Sequence, residues 1–83
     1  MKAYQVLEKY GWIQKTFGNR DYGFCLAGAI TEAYPKDKDS NKAFNKLVKL
    51  HPRRFADGVV VTWNDNPGRT KKQVVELLKK ANI

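Results

Sequence analysis

The segment from residue 23 to residue 34 constrains the fold most, because it is apolar on nearly every side of a helix. It reads Gly-Phe-Cys-Leu-Ala-Gly-Ala-Ile-Thr-Glu-Ala-Tyr, and Pro35 follows it. A helix without a broad polar face is normally buried among other elements. Cys25, Gly28 and Ala29 form a narrow strip of small residues that would let a neighbouring backbone come close. The segment therefore predicts the central helix of a small bundle.

Length and charge set the next limits. Eighty-three residues with 42% hydrophobic content suffice for one small core, so we expect a single basic domain over residues 1–83. The formal charge of +8 is concentrated in residues 36–54 and 69–80. A surplus of that kind favours an acidic or polyanionic partner, and a merely solvated lysine surface is the alternative.

The compartment is also constrained by the sequence. It has no apolar run long enough for a membrane span and no secretory signal at its start. The single cysteine cannot form an internal disulfide, which fits a reducing environment. We therefore expect a cytoplasmic protein without membrane contact.

Three further helices are predicted from periodicity and capping signals. Residues 2–10 have one apolar face and end at Gly11. A charged loop over 36–40 precedes a helix over 41–50, capped by Ser40 or Asn41. Thr70 and Gln73 have the spacing of a capping box, which starts the last helix.

Two segments have the character of strands. Residues 12–17 alternate in polarity, and residues 58–63, Gly-Val-Val-Val-Thr-Trp, are β-branched and apolar. Either the two pair as one short β element, or residues 58–63 cover the helices as irregular chain. The predicted fold class is mainly α, a compact bundle of about four helices.

Catalytic and metal chemistry find little support. Cys25, His51 and Asp65 are the residue types of a thiol hydrolase, but a cysteine on so apolar a helix is expected to be an inert packing residue. One cysteine and one histidine cannot build a zinc site without matching carboxylates. Asp37-Lys-Asp-Ser-Asn41 resembles the start of a calcium loop, yet Lys42 and Val48 occupy two required positions. We expect no catalytic residue, no metal and no cofactor.

The binding candidates are basic. One row lies along the third helix and beyond it: Lys42, Lys46, Lys49, Arg53 and Arg54. Lys71 and Lys72 stand at the start of the last helix, where free amides attract anions. There, pairing of Asp65 with Arg69 as a structural lock is the favoured interpretation and an anion site is the alternative. Tyr22 and Tyr34 are candidate exposed aromatic contacts.

Several motifs together resemble a family of small proteins of unknown function from bacterial and phage genomes. The motif residues are Gly11-Trp12-x-Gln14, Cys25-x-x-Gly28-Ala29-Ile30, Trp63-Asn64-Asp65, Gly68-Arg69-Thr70 and Val74-x-x-Leu77-Leu78. The chain departs from members in being rich in lysine and in its Leu-Ala-Gly-Ala order. The resemblance implies a shared fold and assigns no activity. Its more specific motifs are expected to be structural: Trp12, Gln14, Cys25, Gly28, Trp63, Asn64, Asp65, Arg69 and Thr70.

The functional expectation is a non-catalytic binding module acting on a protein or nucleoprotein partner. A phage or mobile-element accessory protein fits this description, for example an inhibitor of a host defence system such as an anti-CRISPR. The alternative is a nonspecific nucleic-acid-binding protein that uses the Lys/Arg face of the third helix. An enzyme is the least favoured class.

Overall fold

The computed structural model describes residues 1–51 and 59–83. Within them the chain forms a mainly helical bundle with one two-stranded antiparallel sheet, which confirms the predicted fold class. The elements in chain order are α1 Ala3–Tyr10, β1 Gly18–Asn19, β2 Gly23–Phe24, α2 Leu26–Ala33, α3 Asp37–Leu50, α4 Val59–Asn64 and α5 Lys71–Ala81.

The predicted central position of the apolar helix is confirmed. α2 packs against α1, α3 and α4. Its residues Leu26 to Ile30 are all buried. Each described helix contributes to one hydrophobic cluster. The largest fully buried apolar side chains in the described ranges are Leu7, Leu26, Ile30, Leu47, Leu78, Ile83, Val6 and Val74.

The chain enters this core through a glycine turn and a small sheet. Gly11 ends α1 as predicted, with a φ of 99° that favours glycine, and its amide donates to the Leu7 carbonyl. Trp12 then forms an isolated parallel bridge with Phe24. β1 and β2 pair with Gly18 opposite Phe24. This sheet connects the end of α1 to the start of α2.

The predicted pairing of residues 12–17 with residues 58–63 is wrong. Residues 59–63 lie in the short helix α4, and Gly58 lies outside the described residues. Val60 and Trp63 are both buried, three residues apart, whereas Val61 is half exposed. That spacing places Val60 and Trp63 on one side of a helix, but on opposite faces of a strand. Packing of this side against the core outweighs the β propensity of the three valines.

Two helix starts differ from the prediction. α2 begins at Leu26, because residues 23–24 belong to β2 and Cys25 is the N-cap. α3 begins at Asp37, so the predicted loop over 36–40 is mostly its first turn. Asp37 and Asp39 favour this early start, since acidic side chains stabilise the positive end of the helix dipole.

Candidate binding surface

The tryptophan and asparagine motifs of the sequence meet in a buried contact around Asn64. This side chain is fully buried. Its Oδ1 accepts hydrogen bonds from Trp12 Nε1 at 2.6 Å and from the Leu26 amide at 3.0 Å. Its Nδ2 donates to the Ile13 carbonyl at 3.2 Å and to Asp65 Oδ1 at 3.0 Å. A single amide thus ties the segment after α1, the start of α2 and the end of α4 together.

Gln14 and Asp65 extend the same contact. Gln14 Nε2 donates to the carbonyl oxygens of Asn64 at 3.0 Å and Asn66 at 2.7 Å. Asp65 Oδ1 accepts from the Lys15 amide at 2.8 Å, and Lys15 has a φ of 67°. We call Trp12, Gln14, Asn64 and Asp65 the clasp. Because its hydrogen bonds are internal, the clasp is a structural feature.

In the turn before α5, one predicted contact forms and another does not. The predicted capping box forms: Thr70 Oγ1 accepts from the Gln73 amide at 3.2 Å, and Gln73 Oε1 accepts from the Thr70 amide at 3.1 Å. Arg69, however, does not make the predicted pair with Asp65. Its Nε donates to the Trp63 carbonyl at 2.9 Å, and its guanidinium lies 3.8 Å from the Trp63 ring centroid. The cause is that α4 ends at Asn64, so the two residues are not on one helical face.

Cys25 and Gly28 have packing roles. Cys25 is buried, and its Sγ accepts a hydrogen bond from the Gly28 amide at 3.3 Å. A Cβ on Gly28 would clash with the Phe17 carbonyl oxygen, so the predicted close backbone approach occurs here. His51 caps the far end of α3. Among residues 1–51 and 59–83, no group of three His, Cys, Asp or Glu side chains could hold a metal ion.

The basic residues of α3 form a continuous exposed row. Lys42, Lys46 and Lys49 are all exposed. Because α3 starts early, Lys38 lies on the same face one turn before Lys42, toward the N-terminus of the helix, and it too is exposed. We call these four residues the lysine stripe; at 1.5 Å per residue it extends about 16 Å along the helix. Pro35 followed by two aspartates is a signal for the start of a helix, and this signal could have placed Lys38 in α3. Arg53 and Arg54 lie outside the described residues.

A shallow groove of about 280 Å³ lies beside the stripe, and we call it the α3 groove. Its apolar lining comes from Tyr34, Ala43 and Ile83, and its charged lining from Asp39, Lys42 and Lys46. Burial raises the pKa of the Tyr34 phenol, with a smaller contribution from neighbouring Tyr4. Tyr34 therefore presents a neutral ring and hydroxyl beside two exposed ammonium groups.

Lys71 and Lys72 are exposed in the first turn of α5, away from the α3 groove. With Glu8 and Val75 they line a separate open depression. The Thr70 hydroxyl already accepts from the Gln73 amide at this helix end. Because this bond occupies one of the free amides, fewer donors are left for an anion at the helix start beside Lys71 and Lys72.

The turn between β1 and β2 presents an aromatic side chain on a fixed backbone. Asn19 Oδ1 accepts from the amides of Asp21 at 2.8 Å and Tyr22 at 2.9 Å. Arg20 Nε lies 2.6 Å from Glu32 Oε1, which joins the turn to α2. This hydrogen bond raises the pKa of Arg20, so the guanidinium stays charged. Tyr22 is 76% exposed on this ordered turn.

A comparison with protein families places these features in a wider group. A family of unknown function, DUF6197, matches residues 1–82, which include both halves of the clasp and the α5 capping box. The chain belongs to that family. No curated protein and no solved structure matches it. Because the function of that family is unknown, membership assigns no activity to the chain.

The length and hydropathy of the helices show whether any of them could span a membrane. Within the described ranges, no helix is both long and apolar enough to cross a bilayer.

Proposed function

We propose that the protein is a non-catalytic binding module that acts in the cytoplasm on a protein or nucleoprotein partner. The observation that carries the proposal is the lysine stripe, four exposed ammonium groups on one face of α3. Ion pairs in the described part of the chain join Arg20 to Glu32 and Lys79 to Glu8, and neither uses the stripe. The stripe charges are therefore available to a partner.

The contacts that the motif residues make support a non-catalytic role. The reactive or polar groups at these positions contact the chain itself: Asn64 bonds Trp12, and Cys25 caps α2. Side chains held in this way stabilise the fold, which supports a non-catalytic role for these positions.

The composition of the surface favours a protein over bare nucleic acid. Asp39 lies beside Lys42 and Lys46, where its carboxylate would repel a phosphate chain. Tyr22 is exposed on a backbone fixed by hydrogen bonds, and tyrosines on rigid supports are typical anchors in protein interfaces.

The alternative function is nonspecific nucleic-acid binding. The regular spacing of the stripe favours it, since a row of lysines on one helix face can follow a phosphate backbone. Tyr34 beside the stripe could stack on a base.

For the biological setting, we propose a phage or mobile-element accessory protein, with inhibition of a host defence system, such as a CRISPR effector, as one example. A small domain that binds without catalysis can inhibit by occupying a partner's surface.

The experiment that separates the two functions is a fluorescence anisotropy titration with labelled single-stranded DNA, duplex DNA and RNA at physiological salt. The Lys42→Glu/Lys46→Glu/Lys49→Glu variant is measured beside the wild type. We expect no sequence-independent binding at micromolar protein. Micromolar or tighter binding that falls steeply with salt and disappears in the variant would establish the alternative.

A further inference from the structure

We infer that the α3 groove binds an acidic peptide segment of a partner protein, with one apolar side chain of that segment seated between flanking carboxylates. The inference rests on the proposed function, because it specifies the chemistry of the protein partner. It is carried by the arrangement of Tyr34, Ala43 and Ile83 beneath two exposed lysines.

The lining of the groove selects an apolar side chain. Ala43 and Ile83 are almost fully buried, so they form a floor that contributes no charge. Tyr34 adds a half-buried ring with a neutral hydroxyl. A volume of about 280 Å³ accommodates one or two side chains and is small for a complete small-molecule ligand.

The charged groups around the groove select carboxylates on either side. Lys42 and Lys46 are one helical turn apart, about 6 Å along the axis. Lys38 and Lys49 continue the positive charge beyond them on the same face. In an extended peptide the side chains at i, i+2 and i+4 share one face, so acidic side chains at i and i+4 can approach lysines of the stripe while an apolar side chain at i+2 enters the groove.

Asp39 sets the orientation and opposes a nucleic acid. Its carboxylate lines the same groove as Lys42 and Lys46. A peptide can direct a backbone amide or a basic side chain toward Asp39, whereas a phosphate backbone carries a negative charge at every nucleotide. Charge complementarity therefore favours a mixed acidic and apolar peptide.

The test is panning of a phage-displayed random peptide library on the immobilised full-length protein. Enriched peptides are then synthesised, and their affinities and amide chemical-shift changes are measured by NMR. We expect enriched sequences with acidic residues on both sides of an apolar residue. Chemical-shift changes should centre on Tyr34, Ala43 and Ile83. Replacing the apolar residue of the peptide by glycine should weaken binding about tenfold or more.

Two charge-matched variants provide the control. Lys42→Glu/Lys46→Glu should weaken the enriched peptides about tenfold or more, because both rim lysines are reversed. Lys71→Glu/Lys72→Glu changes the net charge equally at a separate surface and should change affinity less than about twofold. All four positions are exposed, and a circular dichroism spectrum of each variant checks that it is folded.

Three results would overturn the inference: no enrichment over an uncoated surface, enriched peptides without acidic residues, or equal weakening by the two variants. A partner captured through the lysine stripe that leaves the groove resonances unchanged would refute the groove alone. Absence of any protein partner would instead refute the proposed function.

Discussion

Replacement of Asn64 by alanine tests whether the clasp holds the fold together. The substitution removes the acceptor of Trp12 Nε1 and of the Leu26 amide, and it removes the donor to the Ile13 carbonyl. Since Asn64 is fully buried, water cannot simply replace the lost groups. We expect Asn64→Ala to be among the most destabilising polar-to-alanine changes in the described chain.

The expected loss of unfolding free energy follows from the burial of the groups that lose their hydrogen bond to Asn64. The Leu26 amide belongs to a residue with no exposed surface, and an unsatisfied buried donor costs about 1–3 kcal/mol. Trp12 is only half-buried, so its indole can recover water and loses about 0.5–1.5 kcal/mol. Together these give about 1.5–4.5 kcal/mol. In a domain of this size that corresponds to a melting temperature about 6–36 °C lower.

The assay is urea and thermal unfolding followed by far-ultraviolet circular dichroism. Asn45→Ala is the matched control, because Asn45 is exposed on α3 and alanine should change stability there by no more than about 0.5 kcal/mol. A double-mutant cycle with Trp12→Phe should give a coupling energy of about 0.5 kcal/mol or more. Equal unfolding free energies for Asn64→Ala and Asn45→Ala would refute the structural role of the clasp.

Three further predictions concern packing, capping and ionisation. Gly28→Ala should lower the free energy of unfolding by about 1–3 kcal/mol, because the new Cβ meets the Phe17 carbonyl. Gly68→Ala is the control, since a Cβ there has no neighbour nearer than 3.6 Å and should not lower stability. Equal urea midpoints for the two variants would contradict this prediction. Thr70→Ala should cost about 0.5–2 kcal/mol in the same assay through loss of the α5 cap, and an unchanged melt would exclude the cap as a stabilising contact. Because burial raises the pKa of Tyr34 above its ordinary value of 10.0, its contribution to stability is complete below that pH and is lost as pH rises through the folded-state pKa. Tyr34→Phe should therefore lose less stability than the wild type above about pH 10, whereas parallel stability curves would show that the phenol does not contribute.

Local signals predicted the helices better than they predicted contacts between segments. The α5 start follows from Thr70 and Gln73, whose hydrogen bonds lie within one turn, so spacing alone identified it. Residues 59–63 have strand propensity, but the burial of Val60 and Trp63 against the bundle makes them helical. That outcome depends on packing that no local pattern contains.

The candidate binding surface likewise has a part that local sequence signals predict and a part that depends on contacts between distant segments. The row formed by Lys42, Lys46 and Lys49 follows from helical periodicity, and the structure adds Lys38 by starting α3 earlier. The α3 groove could not be predicted, because it brings Ile83 next to residues of α2 and α3 that are distant in sequence. The bond between Trp12 and Asn64 is equally nonlocal, spanning 52 positions.

The central claim, binding of a protein partner through the lysine stripe, is tested most directly by affinity capture from nuclease-treated lysate of the source cell. The immobilised wild type is compared with Lys42→Glu/Lys46→Glu/Lys49→Glu, with Tyr22→Ala and with the charge control Lys71→Glu/Lys72→Glu. We expect capture of one defined protein or complex that survives nuclease treatment, is lost with the stripe reversal, is weakened by Tyr22→Ala and is retained by the control. Retention of only nuclease-sensitive material, or capture that is the same for the wild type and the stripe reversal, would contradict it.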